Sequence, residues 1–316
     1  MPSIPLNGTM IYYEMEGFGQ PIVFIHGYSS SHHIFEPQLE YFGKRCQVVV
    51  LDLRGNGRSG KLNAGIVDII EKQCEDVRLL LDMLYISKAV IVGCASGGLV
   101  AQRLALRYPE LVEALVLVDC ESSSPAFRRR RHLEAFMEGL GWLTSFMPGG
   151  SYSRSLSAVY SNWAMARRIM KLEAQMHRPA ESLKQRIAYN RICGIHPDKA
   201  RRDLPVLCVA GRNNEWGLKT MQENARSFPW AQTAIIEDAI YPSQLCQPLA
   251  FNRLLLDFLR GNDDDSGQAA SIHVSGRDEA DSEEIGFLRR ARRNIRVDRS
   301  VRGRQKHDTE GVDWFS

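Results

Sequence analysis

The segment Gly93-Cys94-Ala95-Ser96-Gly97-Gly98 puts a thiol and a hydroxyl inside a glycine-rich turn, between a strand-like apolar run and a helix-like one. Small residues let the chain reverse sharply there, and such a turn can raise a side chain clear of its backbone. The chemistry it could serve is nucleophilic displacement at a carbonyl. That needs a nucleophile, a base to take its proton, and N–H donors for the developing negative charge. Other groups that could take part are His26 in a His-Gly pair, Asp119 at the end of ALVLVD, and Glu215 after AGRNN. A general base is the harder part to find. No His lies between His196 and His273, and His26, His32 and His33 cluster near the N-terminus.

The elements that would position these residues alternate regularly. TMIYYEMEG reads as an opening strand with a hairpin partner nearby. Strand-like runs follow at 21–27, 46–52, 89–93, 114–119, 205–211 and 232–238, with amphipathic stretches at 66–86, 97–108, 218–228 and 245–260. Strands alternating with helices of this length predict an α/β fold, with a mostly parallel sheet covered on both faces. Residues 121–204 contain no strand-like run and read as helices. Inserted between two strands, they predict a lid over the C-terminal edge of the sheet, where open α/β sheets bind ligands. The core is then 1–120 and 205–261. Residues 262–316 are rich in charge and poor in apolar groups, and they read as a disordered tail.

Composition bounds the function classes. The chain has 316 residues, 44% hydrophobic and 24% charged, with a formal net charge of +3. That is ordinary globular usage, and too little charge to argue for nucleic acid or a membrane surface. Only the Arg-rich part of the tail, 289–306, hints at nucleic acid. The seven cysteines, at 46, 74, 94, 120, 193, 208 and 246, form no CxxC pair. They read as buried free thiols in a reducing compartment, with no metal site and no cofactor expected. No signal peptide is read, and no run approaches the roughly 20 apolar residues of a spanning helix. A cytoplasmic protein is the expectation.

Five motifs occur in order. His26-Gly27 follows IVFI. Asp52-Leu53-Arg54-Gly55-Asn56-Gly57-Arg58-Ser59 follows the next strand. Gly93 to Gly98 comes third, then PVLCVAGRNNEW, then IIEDAIYPSQLCQPLAFNRLLLDFL. Together they resemble the α/β-hydrolase superfamily, in its branch of esterases, epoxide hydrolases and C–C hydrolases, from about residue 8 to 260. The resemblance implies a Ser-His-Asp triad on three loops, and none of its members is present. The nucleophile's place is held by Ala95, whose methyl has no lone pair. The acid's place is Asn214, which carries no charge to stabilise an imidazolium. The base's place is Tyr241, a phenol too weakly basic at neutral pH. The resemblance also implies an oxyanion hole from the backbone N–H groups of Tyr28 and Ser96, a buried Asp/Arg pair in the Asp52–Ser59 turn, and lid residues Trp142, Met147, Tyr152, Tyr160 and Trp163 against a pocket. Arg128–Arg131 at the start of the lid reads as a solvated helix face.

Three replacements on three loops favour a pseudoenzyme that binds a small apolar or carbonyl-bearing ligand, or a protein partner, without hydrolysing it. One alternative is a lyase, isomerase or cyclase using the pocket, the oxyanion donors and Tyr241 as an acid. The other is an ester or C–C bond hydrolase with a relocated nucleophile, Ser96 or Cys94, served by Asp119 or Glu215 and by His26.

Overall fold

The computed structural model describes residues 3–122, 149–191, 201–261 and 271–274. The chain divides into two compact units, 1–279 and 280–316, and all described residues belong to the first. Two strands open it, β1 (Ser3–Leu6) and β2 (Thr9–Glu16), paired antiparallel as the sequence predicts. Asn7 and Gly8 turn the corner with φ of 47° and 76°, the left-handed pair that a tight hairpin requires.

Six parallel strands follow: β3 (Pro21–Ile25), β4 (Gln47–Leu51), β5 (Ala89–Cys94), β6 (Val112–Val118), β7 (Val206–Gly211) and β8 (Gln232–Ile236). With β9 (Ser271–Val274) the sheet has the order β1-β2-β4-β3-β5-β6-β7-β8-β9. Only the β1–β2 and β2–β4 pairings are antiparallel. The central strands are buried on both faces, which explains why their sequences are continuous apolar runs rather than alternating ones. β9 corrects one expectation. It pairs parallel with β8 inside the segment read as a disordered tail. Ser-Ile-His-Val is short, but its β-branched residues suit an edge that an existing strand templates. The rest of that tail, with its Arg-rich stretch, lies outside the described residues.

Strand parity sorts the core. Val23, Ile25, Val49, Leu51, Ile91, Leu115 and Leu117 face α2 (Ile69–Met83) and α3 (Gly97–Arg107). On the opposite face, Phe24 meets Phe35 and Phe42, the latter on α1 (Glu36–Phe42), a helix absent from the sequence reading. The stretch between β6 and β7 contributes α4 (Gly149–Val159), α5 (Ala164–Met176) and α6 (Pro179–Arg191). The core closes with α7 (Glu215–Ser227), a single turn α8 (Ser243–Cys246) and α9 (Pro248–Gly261). Among the described residues, no helix is long and apolar enough to cross a membrane. Six cysteines are buried free thiols, and Cys193 lies outside the described residues.

Candidate active site

Parallel strands bring the turns after β3, β4, β5, β6, β7 and β8 to one edge of the sheet. At the centre is the turn between β5 and α3. Ala95 takes φ of +50°, while Ser96 is already helical at −67°. A left-handed backbone costs an ordinary residue roughly 1–2 kcal/mol. Packing and hydrogen bonds hold it: Ala95 N–H donates to Val118 O (3.0 Å), and Ala95 O accepts from Gly98 N–H (3.1 Å) and Glu121 N–H (3.3 Å). The turn sits hard against its neighbours. A Cβ on Gly97 would lie 2.3 Å from His26 O, and one on Gly93 would lie 2.6 Å from Gly98 Cα. The apex of the turn is therefore Ala95, and Ser96 belongs to the helix.

Ser96 is fully buried, and its Oγ accepts the Tyr28 N–H at 2.8 Å. This corrects the expectation that the Tyr28 donor stands open. The residue following the apex carries a hydroxyl, and that hydroxyl is an acceptor for the Tyr28 N–H. Cys94 is also fully buried, beside Gln244 Nε2 at 3.4 Å, and burial pushes its thiol's ionisation up, away from a nucleophilic thiolate.

Asn214 and Tyr241 each form part of a structural clasp. Asn214 is the N-cap of α7: its Oδ1 accepts from Gly217 N–H (2.9 Å), and its Nδ2 donates to Asp119 Oδ1 (3.0 Å). Asp119, 4% exposed with φ of +45°, also accepts from Gly211 N–H (3.2 Å) and Ser243 N–H (2.8 Å). Burial raises its pKa in spite of these donors. An Asp at 214 would set two carboxylates against each other, so the amide suits a single buried acid. Tyr241 has its hydroxyl buried and hydrogen-bonded with Ser30, and burial pushes its ionisation well up. Its carbonyl accepts from Tyr160 Oη (2.8 Å), and Trp163 Nε1 donates to Asp238 O (2.9 Å). Tyr160 and Trp163 thus hold the loop that carries Tyr241.

The remaining candidates are not brought to the apex. Glu215 is exposed on the first turn of α7. His26 spends both ring nitrogens on the backbone, Nδ1 with Gly27 O (2.6 Å) and Nε2 with Leu53 N–H (2.9 Å). That fixes the Nδ1–H tautomer, and burial lowers its pKa. Tyr152 lies within α4; Trp142, Met147 and Arg128–Arg131 lie outside the described residues.

Two arrangements escaped the sequence reading. The Asp52–Ser59 turn was expected to hold its own Asp/Arg pair. Instead, Arg54 forks onto Asp76 of α2 through Nε and Nη2, both at 2.5 Å, and Asp52 takes the His32 ring at 2.8 Å and its backbone N–H at 2.7 Å. Partners 20 and more residues apart leave no local spacing signal. Next to this pair, Glu173 of α5, 4% exposed, meets Ser31 Oγ at 2.6 Å. Burial, reinforced by Asp52, pushes its carboxyl up to about 7. The sequence reading did not single out Glu173. Among the described residues no three His, Cys, Asp or Glu side chains are grouped to hold a metal ion.

Comparison with known proteins agrees with this architecture. Residues 20–175 match the family model described as alpha/beta hydrolase fold. A protein of Azorhizobium caulinodans with the provisional name carbamate hydrolase RutD is 35% identical over 130 residues, 41% of this chain and 48% of that protein. A protein of the same name from Pseudomonas savastanoi pv. phaseolicola is 27% identical, over 75% of this chain and 93% of that one. The chain thus spans about half the length of one of these relatives and nearly all of the other. Among solved structures, Est816, described as an N-acyl homoserine lactone degrading enzyme, superposes with a TM-score of 0.63 at 26% identity, over 81% of this chain and all of that one. Fold, motif order and relatives lead to one conclusion: this chain belongs to the α/β-hydrolase superfamily.

Proposed function

We propose that this chain is a non-hydrolytic member of its superfamily, one that binds a small, mainly apolar molecule beneath its helical lid and releases it unchanged. The observation that carries this reading is the left-handed φ at Ala95, because it fixes which residue stands at the apex of the turn. The side chain presented there is a methyl group, and no base can activate it. Ser96, one residue on, is helical and fully buried, so a shift of register does not supply a nucleophile. The relatives' names speak of carbamate hydrolysis and lactone degradation. What this chain shares with them is the fold.

The test pairs turnover with binding. A short-chain p-nitrophenyl ester is incubated with the protein, and thermal shift is followed against a panel of small esters, lactones and carbamates. The expected result is product release at the buffer rate together with a saturable rise in Tm for at least one compound. Enzyme-proportional product release would overturn the reading.

A further inference from the structure

Among the described residues of 149–191, Glu173 is the one acidic side chain that is buried, and it docks α5 on the turn His32–Phe35. Its Oε1 meets the Oγ of Ser31, itself fully buried, at 2.6 Å. Asp52 reaches the same turn from β4. Its Oδ1 accepts the His32 N–H (2.7 Å) and meets His32 Nδ1 (2.8 Å), and its Oδ2 accepts the Arg58 N–H (2.8 Å). Two buried carboxyl groups therefore converge on two consecutive residues, Ser31 and His32. Three contacts support a negative charge on Asp52. Glu173 has Ser31, and it forms no ion pair among the described residues.

The surrounding groups do not supply the missing cation. His32 gives its ring to Asp52 and places Nε2 3.4 Å from Glu14 Oε1. His33 stacks on His32 at 4.0 Å, and burial lowers its pKa. Arg58 donates to Tyr12 Oη (2.6 Å). On α5 itself, Arg167 is exposed, Lys171 forms no ion pair with Glu173, and Arg168 is taken by Glu36 at the start of α1 (2.7 Å). Of the two other helices against α5, α4 carries Arg154, which is exposed, and α8 carries Cys246, whose thiol burial pushes up to about 12. His177, the C-cap of α5, has a buried Nε2 without a hydrogen bond, and burial lowers its pKa. Its protonation would work against docking. A carboxyl buried without a cation, close to an ionised carboxylate, is most stable with its proton on. Burial, reinforced by Asp52, accordingly pushes Glu173 up to about 7.

We propose that the proton on Glu173 keeps α5 docked on the His32–Phe35 turn, so that this helix undocks more readily as pH rises towards neutrality. An undocked Glu173 is an ordinary solvated carboxylate. A carboxyl that holds its proton more tightly docked than free gives a contact that is complete below the free value. The contact weakens as pH rises to the docked value and levels off above it. The ties at either end of α5 run from Tyr160 Oη to Tyr241 O (2.8 Å) and from Arg178 to Gly57 O (2.6 Å) and Ser59 O (2.8 Å), and none involves a carboxylate. They hold the ends while Glu173 governs the middle. The proposed ligand site is then shut in acid and exchanges its ligand near neutrality. Only this last consequence rests on the proposed binding role. Ester turnover decides the non-hydrolytic reading, and exchange at one helix decides this one.

Hydrogen–deuterium exchange of the full chain reads α5 and α3 in one sample, with exchange rates corrected for their intrinsic dependence on pH. Residues 164–176 are expected to be less protected than 97–107 at every pH, because α5 undocks without global unfolding. Their protection is expected to fall roughly tenfold per pH unit between about pH 5 and 7 and then to level off. Glu173→Gln keeps a polar group against Ser31 and carries no charge at any pH. Its α5 protection is expected to stay flat over the same range. Should Glu173→Gln not fold, the wild-type profile decides alone. A flat α5 profile in the wild type, equal protection of the two helices, or a slope retained in Glu173→Gln would overturn the proposal.

Discussion

The turn after β4 and the turn after β5 lie on neighbouring parts of the same sheet edge, yet they differ in what has been kept. In the Asp52–Ser59 turn the side chains themselves are the structure. Asp52 anchors His32 and the Arg58 N–H, Arg54 reaches Asp76, and Ser59 accepts from Tyr12 N–H. In the turn after β5 the backbone is the structure: the left-handed apex and the close-packed glycines are retained while the apex side chain is only a methyl. The difference separates what folding demands from what hydrolysis demands. A strained turn persists because its surroundings determine it, and on the proposed non-hydrolytic reading nothing comparable determines the side chain at its apex. Asn214 and Tyr241 teach the same lesson, since each place is filled by a group that caps a helix or packs a loop.

Four substitutions sharpen this contrast. The largest effect is expected at the side-chain-built turn. Asp76→Ala leaves the Arg54 guanidinium buried without its carboxylate, and unfolding in urea should show a loss of about 3–5 kcal/mol. A loss below about 1 kcal/mol would mean that the pair is not what holds this turn. Next is Glu173, beside Asp52. Its folded pKa of about 7 lies above its ordinary 4.5. A raised folded pKa gives stability that is fully present below the unfolded value and is lost as pH rises through the folded one. Wild-type stability should thus fall between about pH 4.5 and 7, by on the order of 3 kcal/mol. Glu173→Gln should flatten that part of the curve, and parallel curves for the two proteins would refute the assignment.

At the backbone-built turn, Gly97→Ala would drive a methyl into the His26 carbonyl. A cost of about 1–3 kcal/mol is expected, read from the shift in Tm, and a neutral result would show that the turn can relax. The smallest effect is expected at the apex. Ala95→Gly relieves the left-handed φ and should stabilise the protein by about 1 kcal/mol. A destabilised variant would show that the apex is not strained.

Much of the framework was legible in the sequence because it rests on local signals. The β-branched runs mark β3 to β8, and the glycines at 93, 97 and 98 mark the sharp turn. Counting from those same strands also places Ala95, Asn214 and Tyr241 on the turns after β5, β7 and β8. What could not be seen depends on distant partners. The fork from Arg54 to Asp76 and the contact of Glu173 with Ser31 join segments that no spacing rule connects. The occupied Tyr28 donor leaves no mark in the sequence, because its acceptor, Ser96, stands 68 residues away. Helix α1 is only seven residues long and begins at a Glu-Pro pair, too brief for a periodicity to show. Strand β9 sits among charged residues that conceal its four-residue pattern.

On the proposed reading the site lacks a nucleophile, and reaction of the native protein with a fluorophosphonate probe, followed by intact mass and adduct mapping, tests this. The account predicts an unchanged mass. An adduct on Ser96 or Cys94 would contradict it, and would mean that a working nucleophile stands beside the apex after all.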